Sequence, residues 1–247
     1  MLNFLLTAII IHFLIVHYTN IPLLLSGSLT QASALHTNYT SQNLDFGISL
    51  SSFTSILSSS VPEGAAASTR LMNTFDCEAQ GVVDVLEVLC GLAVAGHASL
   101  PEKAEFCFEV FDFNGTKTLT YDEAFILLFT VLRAAVRLAG KGVEPEDSDV
   151  EKMVDEIYLR SDKEPTASLT LEDIKDWLLS EVNMGVKKGE KKHVSLYEFM
   201  MKFDVLDEED ARELEEASRL MSASKPTPNK KKHHHHHHKE GRASPTN

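Results

Sequence analysis

The stretch Phe111-Asp112-Phe113-Asn114-Gly115-Thr116-Lys117-Thr118-Leu119-Thr120-Tyr121-Asp122-Glu123 lies between two apolar runs of helical spacing, Ala104 to Val110 and Phe125 to Val136. From Asp112 onward, oxygen-bearing side chains recur at alternate positions, and a carboxylate closes the set eleven residues later. A hard cation is wrapped in this way. Calcium takes about six to eight oxygens, and a twelve-residue loop between two helices delivers them from positions 1, 3, 5, 7, 9 and 12. Those positions hold Asp112, Asn114, Thr116, the Thr118 carbonyl, Thr120 and Glu123, while apolar Leu119 at position 8 is placed to bridge to a second loop. Position 6 is Lys117, where the turn needs φ > 0 and glycine is favoured, so a strain of roughly 1 kcal/mol is expected. With only two charged ligands, the loop is expected to hold its ion more weakly than one with four carboxylates.

The spacing recurs upstream. Counting from Asp76, oxygen donors fall at Asp76, Glu78, Gln80, the Val82 carbonyl, Asp84 and Glu87, with Gly81 at position 6 and Val83 at position 8. Asp76 and Asp112 are 36 residues apart, an internal repeat of one helix–loop–helix unit. A weaker copy starts at Asp162 and runs through Glu164, Thr166, Thr170 and Asp173, with Leu169 at position 8. There Pro165 and Ala167 replace turn-forming residues, and Asp173 reaches less far than glutamate. A further loop, Lys187 to Glu198, has four lysines where carboxylates belong, which excludes calcium; its Val194 is expected to pair with Leu169.

These loops with their flanks (Glu87-Val88-Leu89-Cys90-Gly91-Leu92-Ala93, then Glu102-Lys103, Phe106, Phe108 and Phe111-Asp112) resemble EF-hand proteins of the calcineurin B-like and neuronal calcium sensor-like kind. The resemblance implies an all-α fold of paired helix–loop–helix units in two lobes, with short β-bridges between loops. The lobes are expected over 61–140 and 145–205, the second being degenerate. It also implies calcium as cofactor and a non-catalytic sensor whose apolar groove takes an amphipathic helix of a protein target. The groove candidates Phe106, Phe108, Phe111, Phe125 and Phe129 are equally what a helical core requires. The alternative implied is a scaffold or docking subunit, of ciliary, flagellar or phosphatase-regulatory type, with little or no metal binding.

The net charge is −13, and residues 1–70 contribute only Asp45, Glu63 and Arg70, so the acidity lies in the region of the loops. An acidic folded region argues against nucleic acid, whose phosphates require Lys and Arg. No nucleophile elbow, phosphate loop or zinc-protease motif is present in the sequence, and catalysis is not expected. Three cysteines at no metal spacing, two in apolar runs, read as free thiols in a reducing compartment, and a cytoplasmic location is expected. Leu2 to Leu25 is apolar and uncharged, leaving three readings open: a membrane anchor, a signal peptide or a mistaken start. Any membrane contact is expected only through it. Residues 26–60, rich in Ser and Thr, read as a disordered linker. Residues 206–222 read as a charged C-terminal helix, and 223–247 as a disordered tail whose His233 to His238 resemble a purification tag. The sequence sets no oligomeric state.

Overall fold

A computed structural model describes residues 29–60, 64–96, 98–140, 143–182 and 203. Among them are eight helices and two small antiparallel sheets. The first lobe contains α1 (Leu29–Ser41), β1 (Gly47–Ser49), α2 (Leu50–Ser60), α3 (Gly64–Phe75), β2 (Val82–Asp84) and α4 (Val85–Ala95). The second contains α5 (Leu100–Phe111), β3 (Thr118–Leu119), α6 (Tyr121–Ala139), α7 (Asp147–Arg160), β4 (Leu169–Thr170) and α8 (Leu171–Val182). The architecture is all-α, four helix–loop–helix units joined in pairs by short β-bridges.

The pairing corrects the expected lobe boundaries. Ile48 stands opposite Val83, and Leu119 stands opposite Leu169. The loops at Asp76 and Asp112 are therefore not partners: the first pairs backward and the second forward. Leu169 is paired by Leu119, in place of the Val194 expected for it. The 19-residue α6 and the connection to α7 accommodate the 50-residue interval between Leu119 and Leu169.

The linker expected over 26–60 is corrected as well, since residues 29–60 form a complete helix–loop–helix. Its serines and threonines do not keep α2 from forming, because their hydroxyls turn back onto the helix. Ser58 Oγ donates to the Thr54 carbonyl at 2.6 Å and Ser60 Oγ to the Ile56 carbonyl at 2.6 Å. Phe53, Ile56 and Leu57, spaced on one face, are fully buried and anchor the helix to the core.

α4 is the axis of the molecule. All its residues from Val85 to Val94 are buried, Glu87 included, and it packs chiefly on α6 of the other lobe. Gly91 allows the crossing with α3: a Cβ there would lie 2.8 Å from Phe75 Cζ. α6 ends at Gly140, whose φ of 63° closes the helix in the left-handed conformation. Cys90 and Cys107 are buried free thiols and Cys77 is exposed.

Leu2–Leu25, the lysine-rich loop Lys187–Glu198 with Val194, the helix expected over 206–222 and the tail 223–247 lie outside the described residues. Among the described residues, no helix is long and apolar enough to cross a membrane.

Candidate metal centre

The loop Asp112–Glu123 is shaped by its own first residue. Asp112 accepts from Thr116 N–H at 3.0 Å through Oδ1 and from Lys117 N–H at 2.9 Å through Oδ2. Asn114 Oδ1 accepts a second bond from Thr116 N–H at 3.0 Å. These bonds curl the chain so that Gly115 and Lys117 both take positive φ, 67° and 59°. Lys117 thus carries the strain its position implies. At the far end Glu123 Oε2 accepts from Thr120 N–H at 2.8 Å and Thr120 Oγ at 2.9 Å, a capping box that starts α6. The donors are all hard oxygens, two carboxylates with an amide, hydroxyls and a carbonyl. Among the described residues no basic side chain pairs with Asp112 or Glu123. This set fits a calcium ion.

The loop Asp76–Glu87 has the same front half. Asp76 accepts from Gln80 N–H at 2.8 Å and Gly81 N–H at 2.7 Å, and Ala79 and Gly81 take positive φ. Glu78 and Gln80 bond each other, Gln80 Nε2 donating to Glu78 Oε2 at 2.5 Å. The back half differs. Asp84 caps α4 through Leu86 N–H at 2.9 Å, but Glu87 does not reach back to it. Glu87 is 2 % exposed and lies between two arginines of α6: Arg133 Nη2 stands 2.7 Å from Oε2 and Arg137 Nε 2.6 Å from Oε1. Arg133 Nη2 also lies 3.9 Å from Asp84, and Arg137 Nη2 lies 3.1 Å from Glu144. Burial pushes the Glu87 carboxyl up, against the pull of the two guanidiniums. Burial works against the Arg137 charge too, but Glu87, with Cys77 and Glu144, outweighs it and raises its pKa. With its closing carboxylate committed elsewhere, this loop does not fit the ion as it stands.

In the loop Asp162–Asp173 a lysine stands at the centre. Lys163 Nζ donates to Asp173 Oδ2 at 2.5 Å and to the Ser168 carbonyl at 3.0 Å. These are positions 12 and 7, two of the places that would face a metal. Positive φ falls at Asp162 itself, so the turn differs from the other two loops. In the first unit, the register of Ile48 with Val83 puts Ser41 at position 1 and Ser52 at position 12. Asp45 is the only carboxylate of that loop. Neither loop fits the ion. Among the described residues, no three His, Cys, Asp or Glu side chains converge as a metal cluster.

The residues missed by sequence reasoning are Arg133, Arg137 and Lys163. Two arginines four apart in the otherwise apolar Phe125–Leu138 were the available signal, because charge in a buried helix face calls for a partner.

The loop ends meet across the lobes: Phe113, at position 2 of its loop, packs on Phe46 with ring centroids 5.7 Å apart, and both rings are half-exposed. An apolar cavity of about 60 Å³ is lined by Leu100, Cys107, Leu127, Val131, Met153 and Trp177, among others. Phe203 also lines it, against Trp177, at 5.6 Å between centroids. Of the aromatic residues considered for a groove, Phe106, Phe108 and Phe111 are buried in the core, while Phe125 and Phe129 stack at 6.0 Å and are partly buried.

No family model matches the chain. Over 104 residues it is 32 % identical to calaxin of Homo sapiens, a match covering 42 % of this chain and 47 % of calaxin. Over 107 residues it is 27 % identical to the calcineurin B protein of Candida glabrata, covering 43 % of this chain and 56 % of that protein. It is also 28 % identical over 123 residues to ubiquitin carboxyl-terminal hydrolase 32 of Mus musculus, a match confined to 8 % of that enzyme. The chain therefore spans about half the length of calaxin and of calcineurin B.

Proposed function

We propose that this chain, an EF-hand protein of the calcineurin B-like and neuronal calcium sensor-like kind, is a non-catalytic, calcium-responsive regulator that works in the cytoplasm. The ion is taken by Asp112, Asn114, Thr116, the Thr118 carbonyl, Thr120 and Glu123. The observation that carries this reading is the loop's combination of an ion-ready curl with carboxylates that, among the described residues, no basic side chain occupies. Binding draws the Glu123 carboxylate from its capping role toward the loop, which turns the start of α6. Because α6 also supplies Leu127 and Val131 to the apolar cavity, that turn reaches the groove. The apolar lining of that groove, Leu100, Leu127, Val131, Met153 and Trp177 among it, suits the apolar face of an amphipathic target helix.

The test is a calorimetric calcium titration of the metal-free full chain, with magnesium competition. Micromolar binding lost in Glu123→Gln supports the reading. Heat equal to buffer from a folded protein overturns it. A second reading, a docking subunit that does not respond to calcium, is favoured by one observation: three of the four loops fail to fit the ion. That outcome corresponds to the second result of the titration.

A further inference from the structure

The loop Asp76–Glu87 keeps the curl of a metal loop yet sends its twelfth residue to another helix. We propose that Arg133 and Arg137 act as a tethered cation that stands in for the metal of this loop, so that the chain takes one divalent ion where its sequence offers two loops.

The geometry supports this at each end. Arg133 faces Glu87 at 2.7 Å and Asp84 at 3.9 Å, the carboxylates of positions 12 and 9. Arg137 closes on the other oxygen of Glu87 at 2.6 Å. Two guanidiniums bring the same charge that a calcium ion would bring, and they bring it without depending on solution concentration. Arg133 is held in place by stacking over Phe129, 5.6 Å from the ring centroid, and Arg137 by Glu144 at 3.1 Å. For Glu87 to turn into its loop, two partly buried guanidiniums would have to give up the counterion they share and keep only Asp84 and Glu144, which is unfavourable. Meanwhile Asp76 and the positive φ at Ala79 and Gly81 preserve the front of the site. The site is shaped, and its closing ligand is withheld by the other lobe.

The loop Asp162–Asp173 uses the same chemistry with an ammonium, Lys163, on its positions 7 and 12. There the cation comes from within the loop. In the first case it comes from α6, the helix whose first turn holds Glu123, so the clasp also ties the lobes together through α4 and α6.

The proposal rests on the reading that Asp112–Glu123 binds calcium, and its test separates the two. The full chain is titrated with calcium as wild type, Glu87→Gln, Arg133→Gln/Arg137→Gln, and the double variant with Glu87→Gln added. The expected stoichiometries are one, one, two and one. A wild type that binds two ions and loses one in Glu87→Gln overturns the proposal, and so does a folded double variant that gains none. Should the double variant not fold, Glu87→Gln alone decides: unchanged stoichiometry upholds the tethered cation, and loss of an ion overturns it. If the wild type binds no calcium, the functional reading fails separately. A gain of one ion by the double variant would then still uphold the clasp.

Discussion

In both Asp76–Glu87 and Asp112–Glu123 the leading aspartate accepts two backbone N–H groups and the chain turns through two residues of positive φ. At the twelfth position the loops part. Glu123 stays at the loop and caps Thr120, partly exposed to solvent; Glu87 is buried between Arg133 and Arg137. The front of such a loop is set locally, by bonds spanning four or five residues. Its back is set by whatever the exiting helix packs against. Since α4 is buried all round and α6 is its main neighbour, Glu87 meets side chains 46 and 50 residues away in sequence. A loop can therefore look complete in sequence while a distant helix decides its chemistry.

The comparison can be broken most forcefully at the twelfth residues. In calcium-free buffer Glu87→Ala should cost about 2–3 kcal/mol, because it removes the buried carboxylate that two partly buried guanidiniums share and leaves them only Asp84 and Glu144. Glu123→Ala should cost about 1 kcal/mol, the worth of a capping interaction. Urea unfolding of both variants checks the ratio, and equal costs would erase the distinction between the loops.

A buried cation with no carboxylate partner among the described residues sharpens it from the other side. Lys103 is 6 % exposed, donates its Nζ to the Val94 carbonyl at 2.5 Å, and is pushed by burial down to about 8. A lysine with a depressed folded pKa contributes stability present above its ordinary value, and that stability is lost as pH falls through about 8. Lys103→Met should then stabilise the protein by about 1–2 kcal/mol at neutral pH, the displacement discounted for residual solvent contact. The advantage should shrink as pH rises toward 10, as thermal unfolding across that range would show.

Within the Asp112 loop, Lys117→Gly should relieve the positive φ and add about 1 kcal/mol to stability, calcium or no calcium. The same change at Gly81 has no counterpart, because that loop already has glycine there. The smallest effect belongs to the loop Asp162–Asp173. Burial works against the Asp173 charge, yet Lys163 and Thr170 outweigh it and hold the carboxyl below its ordinary 3.8. A depressed acid contributes stability present above that value and lost as pH falls through the folded pKa. Acid titration of Lys163→Met should show a smaller loss of stability below pH 3.8 than wild type.

Three of the four loops were legible because oxygen donors at alternate positions are a local pattern, at Asp76, Asp112 and Asp162 alike. The first unit was not. Ser41 and Ser52 stand where carboxylates mark the ends of a loop, and the helices around them are written in Ser and Thr, which resemble a linker in composition. The signal that remained was Ile48, 35 residues before Val83, nearly the interval from Val83 to Leu119. The pairing of loops was misread for want of that unit, since omitting it shifts every partner by one. The clasp on Glu87 was out of reach of any local pattern, although Arg133 and Arg137 on an apolar helix announced that some acid must meet them.

The chain has a single tryptophan, Trp177, and it is 2 % exposed at the wall of the apolar cavity, packed at a tilt against Phe203 with its Nε1 3.4 Å from Glu156. The molecule thus carries its one indole reporter at the groove and not at the loops. Emission from an indole so enclosed is expected in the blue and moves to the red when water reaches it. A calcium titration followed by intrinsic fluorescence would read the opening of the groove, while calorimetry reads the filling of the loop. The separation between the two curves is the coupling carried by α6.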